Sequence, residues 1–191
     1  RVDVQYDFRD DDNDPSPSGN EDFHGTAIAG IVAGRGNNDI GVAGVAFEAS
    51  LVGIRLVGAI DQTDEQEALA MLQGNQVISV SNNAWGAEDT GRFLEGSGPL
   101  LERALEQGAR EGRGGKGTVF IWAAGNGAEN QDDVNYDGRA NSIYTIAVGS
   151  GNDVGQLASY SEPGACLIVV APSSGSLGSN RRGIVTTDLT G

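Results

Sequence analysis

Apolar residues along this chain fall into short blocks divided by polar, glycine-rich stretches, and their spacing changes from block to block. The run TAIAGIVAG, residues 26–34, is small and apolar at nearly every position, which suits a buried helix packed tightly on a sheet. In TDEQEALAMLQ, residues 63–73, Ala68, Leu69, Met71 and Leu72 share one helical side, and Gly74 is a stop signal. PLLERALEQGAREG, residues 99–112, opens on Pro99, a residue tolerated at a first helical position, and places Leu101, Ala104, Leu105 and Ala109 at helical spacing. The blocks SLVGIRLV (50–57), VISVS (77–81), GTVFIWAAG (117–125), SIYTIAVGS (142–150) and ACLIVVAP (165–172) read as strands, VISVS as a short buried one. Residues 1–22 and the stretch NNDIGVAGVAF read as loops.

Strands alternating with helices predict an α/β fold whose parallel sheet is covered on both faces. Sites in such sheets gather in the loops beyond the carboxyl ends of strands. SNNAWG after VISV and GNG after VFIWAA lie at two such ends. No repeat or linker divides the chain, so 191 residues are expected to form one domain with room for a real core.

Charge narrows the partners. The formal net charge of −15, from 27 acidic and 12 basic residues, argues against nucleic acid, because phosphate must be met by cations. An acidic chain attracts metal ions or basic peptides, although solubility alone accounts for acidity equally well. No apolar run is long enough to span a bilayer. The opening residues RVDVQYDFRDDDND show no basic-then-apolar leader pattern, and the one cysteine, Cys166, permits no internal disulfide.

The single histidine, His24, stands in NEDFHGTAIAGIVAG with Glu21 and Asp22 before it and Gly25 and Thr26 after it. HGTAIAGIVAG resembles the histidine motif of subtilisin-like serine proteases, NNDIGVAGVAF their calcium loop, and AAGNG their oxyanion-asparagine motif. AWGAEDTGRFLEG, NYDGRANSIYTIAVGS, YSEPGAC and IVTTDLTG resemble the kexin/furin branch, the proprotein convertases. The resemblance runs from about residue 5 to residue 191. It implies the subtilisin-like three-layer α/β fold, with a central, mostly parallel sheet flanked by helices.

The resemblance also implies roles. His24 would be the general base that takes a serine proton and returns it to the leaving amine. Asn126 would donate its side-chain amide to the developing oxyanion. The family's catalytic aspartate precedes the region matched here, and its serine motif G-T-S-x-A follows TTD; neither motif occurs in this sequence. The expectation is therefore a partial catalytic domain over residues 1–191, lacking the aspartate strand and the serine-bearing helix, and inactive by itself.

A protease of this branch cuts after paired basic residues, and its pockets need carboxylates. By motif, Asp89 and Asp137 fall where the family lines its first, arginine-selecting pocket, with Trp85 and Gly86 along the cleft. Glu21 and Asp22 fall where the second basic residue is read, and Glu67 and Glu95 where a more distant arginine is bound. Surface solvation explains any single one of these acids as well, Glu67 on an exposed helix face above all. The cofactor implied is Ca2+, an ion of hard oxygen ligands. Asp7, Asp12 and Asp14 would hold one ion. Asn38 would hold a second through its side chain, with the carbonyls of Gly36, Ile40 and Val42. Asp89, Asp132 and Glu162 would hold a third beneath the first pocket.

Val134 and Tyr136 stand where eukaryotic members carry cysteines, which points to a bacterial, exported relative. The expected partner is a basic peptide or proprotein, and the expected state a secreted, periplasmic or cell-envelope monomer. Two other readings use the same residues. One is a broad-specificity subtilisin; the other is a non-catalytic module that binds calcium or peptide.

Overall fold

Every strand pair within a sheet is parallel in the structure, a computed structural model that describes residues 4–20, 22–58, 62–174 and 182–189. The elements are β1 (Tyr6–Asp7), α1 (His24–Ala33), β2 (Ile54–Arg55), α2 (Asp64–Leu72), β3 (Val80–Asn83), α3 (Pro99–Gly115), β4 (Val119–Ala123), β5 (Thr145–Gly151) and β6 (Leu167–Pro172). They fall into two units, residues 56–183 and residues 1–55 with 184–191. The α/β class with parallel strands and flanking helices is as the sequence pattern predicts.

The larger unit carries a sheet in the order β3-β4-β5-β6, with Val80 opposite Val119 and Phe120 opposite Thr145. Phe120 and Trp122 alternate along β4 and are fully buried, as are Leu101 and Leu105 on α3. Each such side chain contributes about 1.5–3 kcal/mol by leaving water. Close approach of α3 to the sheet depends on Gly108, where a Cβ would lie 2.5 Å from the Phe120 ring. Helix α2 opens with a capping box between Thr63 and Gln66. Its Asp64 then caps α3, accepting the N–H groups of Leu100 and Leu101, each at 2.9 Å. Gly98 makes this possible, since a Cβ there would sit 2.1 Å from the Asp64 carboxylate.

Two expectations about this unit are corrected. The inward face of α2 carries Glu67, Ala70 and Met71, whereas Leu69 is 52% exposed. The helix is turned from the apolar side expected, and the inward Glu67 is paired with Arg139. VISVS is not a buried strand: β3 begins at Val80, which is 56% exposed, because β3 is an outer strand of this sheet with one neighbour.

In the smaller unit, β1 and β2 pair over two residues each, Tyr6 with Ile54 and Asp7 with Arg55. The expected strand over 50–57 is thus short, and the expected loop over 1–22 holds a strand. Helix α1 buries only Gly30 and Ala33, which corrects the expectation of a fully buried helix. Within this unit it is met by the 44–46 loop, whose Val45 and Ala46 donate to the carbonyls of Ile31 and Val32, and by Thr186 and Thr187. The Thr187 hydroxyl donates to the Thr26 carbonyl at 2.7 Å, and a Cβ on Gly30 would lie 2.2 Å from that hydroxyl oxygen.

Candidate active site

Two adjacent parallel strands, β3 and β4, end side by side, so the loops that follow them form one wall-to-wall cleft of about 210 Å3. Trp85, Gly86 and Asp89 come from the first loop, and Gly125 and Asn126 from the second. Glu88, Asp132, Asp137 and Glu162 complete its acidic lining. Asn126 is exposed at the cleft, and its backbone N–H donates to Asp89 Oδ1 at 2.9 Å. The Asn130 side chain donates to the Asp89 carbonyl at 2.7 Å, so the two loops brace each other. Gly125 has φ +98°, and a Cβ there would meet the Glu162 carboxylate at 2.2 Å.

Asp89 and Asp137 both line this cleft. Asp137 is buried; it accepts the Ala87 N–H at 3.3 Å and the Arg139 N–H at 2.8 Å. Gly86 lets it approach, since a Cβ at 86 would lie 2.7 Å from Asp137 Oδ2. Trp85 packs edge-on against buried Trp122 with ring centres 4.8 Å apart, and so forms a wall of the cleft and a roof of the core together.

Asp132 and Glu162 are buried beside Asp89. Asp132 accepts the N–H groups of Gly91 (2.8 Å) and Asp133 (2.9 Å), and Glu162 accepts that of Gly127 (3.0 Å). Burial, opposed by the Gly127 N–H and reinforced by the Asp132 charge and a hydrogen bond to Asp89, pushes the Glu162 carboxyl up to about 7. Like charges gathered out of water in this way are relieved either by a proton or by a cation, and three carboxylates are a hard-oxygen donor set that suits Ca2+. The trio meets that requirement in charge, but among the described residues no three acidic, histidine or cysteine side chains are already arranged as a metal cage.

Glu95 is half-buried, and its backbone brackets Asp137: its N–H donates to the Tyr136 carbonyl at 2.9 Å and its carbonyl accepts from Gly138 at 2.7 Å. Glu67 does not lie on an exposed face. It is 5% exposed and takes a forked contact from Arg139, Nε to Oε2 at 3.2 Å and Nη2 to Oε1 at 2.9 Å. Sequence reasoning missed Arg139; a basic residue two positions after Asp137, in a chain short of bases, was the available signal.

In the smaller unit His24 is the exposed first residue of α1. Glu21 lies outside the described residues. Asp22 and Asp7 each direct a carboxylate oxygen to Arg55. Arg55 Nη1 contacts Asp7 at 2.8 Å and Asp10 at 2.9 Å, and Nη2 contacts Ser18 at 2.7 Å and Asp22 at 2.5 Å. Asp7 is fully buried and also accepts the N–H groups of Arg9 and Asp10. Burial raises its pKa, but the Arg55 bond and those N–H groups prevail, holding it below the usual carboxylate range. The arginine inside SLVGIRLV was the signal for this network, since a cation in an apolar strand needs anions.

Asp12 and Asp14 are exposed and bind their own loop, accepting the N–H groups of Asp14 (2.8 Å) and Ser16 (3.2 Å). In the expected calcium loop Asn38 Oδ1 accepts the Ile40 N–H at 3.2 Å. Positive φ recurs at Asn37, Asp39 and Gly41.

A model of the subtilase family, peptidase S8, matches residues 2–190. Furin-like protease 1, isoform 1-CRR, of Drosophila melanogaster is 40% identical over 189 residues, which cover 97% of this chain and 17% of that protein. Proprotein convertase subtilisin/kexin type 4 of Homo sapiens is 44% identical over 190 residues, covering 97% of this chain and 25% of that protein. The chain thus spans a quarter or less of either relative's length. The crystal structure of the Aeromonas sobria serine protease in complex with its chaperone superposes with a TM-score of 0.84 at 24% identity, over 97% of this chain and 34% of that one. A cold-adapted subtilisin-like serine proteinase superposes with a TM-score of 0.67 at 26% identity, over 88% and 54%. With the motifs, the parallel fold and a family match over nearly every residue in agreement, the chain belongs to the subtilase family.

Proposed function

We propose that these residues are the pocket-bearing part of a calcium-dependent serine endopeptidase that cuts after basic, dibasic, sites. The observation that carries the reading is the convergence of Asp89 and Asp137 on one cleft beside Asn126. A substrate guanidinium in that cleft would meet two carboxylates, and each charge-assisted bond contributes about 1.5–3 kcal/mol. Two such bonds favour arginine over a neutral side chain by about 10²–10⁴.

Under this reading the serine and aspartate of the triad come from parts of the full-length protein outside these 191 residues. The serine oxygen attacks the scissile carbonyl carbon while His24 takes its proton. Asn126 donates to the oxyanion as the carbonyl becomes tetrahedral. His24 then gives the proton to the leaving amine, and water, deprotonated by His24, releases the acyl group. Ca2+ would be held by Asp89, Asp132 and Glu162 and would supply positive charge against their gathered carboxylates. Held in place by the Asn126 N–H, Asp89 then serves both the ion and the pocket.

The partner is a basic peptide or a proprotein segment, taken by a monomer in a secreted or cell-envelope setting. Among the described residues no helix is long and apolar enough to cross a membrane. Cleavage assays on the full-length protein test the reading: preference for Arg over Phe before the cut supports it, and equal cleavage after both refutes it.

A further inference from the structure

We infer that Arg139 occupies, from within the chain, the place of a distant substrate arginine, leaving that subsite without selectivity for arginine. This rests on the convertase reading, in which Glu67 and Glu95 are the acids facing a basic residue beyond the dibasic pair.

Glu67 has no idle carboxylate oxygen. Arg139 forks across both oxygens, and the Gln62 side chain donates to Oε1 at 2.9 Å. The pair is sequestered, with side chains 16% and 6% exposed for Arg139 and Glu67. Two fixed neighbours hold the arginine in place. Its guanidinium lies 5.5 Å over the Trp85 ring, the same ring that walls the cleft. Its backbone N–H donates to Asp137 at 2.8 Å, which ties its main chain to the pocket floor. Burial disfavours the Arg139 charge, yet the Glu67 bond and the nearby charges of Asp137 and Glu95 outweigh it and hold the guanidinium protonated.

The electrostatic consequence is direct. Two carboxylates, Glu67 and Glu95, present two negative charges to an incoming arginine only if nothing internal cancels one. Arg139 cancels one and takes the planar, bidentate geometry that a substrate guanidinium would use. A second arginine arriving there would meet a spent carboxylate and a like charge.

The test scans arginine against alanine at each position beyond the dibasic pair, on the amino side of the cut, using the full-length enzyme. For the unaltered enzyme the kcat/KM ratio at every such position is expected below about threefold. Arg139→Ala or Arg139→Gln should raise it to about tenfold or more at one position, the gain from one charge-assisted bond. Glu67→Gln, tested with glutamate added to the scan, should raise acceptance of glutamate relative to arginine there. All readouts are ratios within one preparation, so partial unfolding cancels, and Arg139→Gln and Glu67→Gln decide the matter if Arg139→Ala does not fold.

A tenfold arginine preference in the unaltered enzyme, or ratios that none of the variants moves, would overturn the inference. The convertase reading is read separately, from Arg against Phe directly before the cut. Indifference there overturns that reading and the inference with it; preference there, with a distant-arginine preference already present, overturns the inference alone.

Discussion

Replacing Arg55 by methionine removes the cation on which Asp7, Asp10 and Asp22 converge. The three contacts are not equal. Asp10 and Asp22 side chains are 52% and 32% exposed, so solvent takes over much of their partnership and each loss costs under about 1 kcal/mol. Asp7 is wholly buried, and breaking a buried pair by removing one partner costs about 3–5 kcal/mol. Because Arg9 and Asp10 still donate to Asp7 Oδ1, the lower end applies, and Arg55→Met should cost roughly 3 kcal/mol.

The pH dependence has a definite sign. Asp7 has a depressed pKa when folded, so its contribution is complete above the unfolded value of about 3.9 and is lost as pH falls through the folded one. The penalty of Arg55→Met should accordingly be full at neutral pH and shrink in acid. Equilibrium denaturation of the full-length protein measures it, and Arg55→Met with Asp7→Asn should recover most of the loss. A penalty under about 1 kcal/mol at neutral pH, or no recovery in the double variant, would refute the argument that the buried Asp7 charge depends on Arg55.

Three further outcomes are expected. Asp64→Ala leaves two N–H groups at the start of α3 without their acceptor and should cost about 1–2 kcal/mol in denaturant unfolding. Asn126→Ala should lower kcat by about 10²–10³ with little change in KM, the loss established for such a donor in subtilisin; an unchanged kcat would remove Asn126 from the oxyanion site. Chelating calcium should lower the melting temperature, and Glu162→Gln should blunt that response; a melting profile indifferent to chelator would count against the Asp89, Asp132 and Glu162 site.

What the sequence makes legible is local. Pro99 and the spacing of Leu101 and Leu105 place α3 closely, because caps and periodicity act over one or two turns. The cleft is legible through SNNAWG, whose first three residues close β3, and GNG, which follows β4. The misreadings all turn on partners far along the chain. Glu67 was set on the outside of α2 because the helical pattern has no knowledge of Arg139, 72 residues away. The pairing of Asp7 and Asp22 with Arg55, 48 and 33 residues on, likewise shows only after folding. Helix α1 looked buried because small apolar residues permit close packing without saying what packs there.

The account stands most directly on one ratio: kcat/KM for a substrate with arginine before the cut against the same substrate with citrulline, its neutral near-isostere. In the full-length enzyme this ratio is predicted to reach about 10² or more, and Asp137→Asn is predicted to reduce it by at least about tenfold, the loss of one charged partner. A ratio within about threefold in the unaltered enzyme, or one that Asp137→Asn leaves unchanged, would contradict the assignment of the acidic cleft to a basic substrate residue.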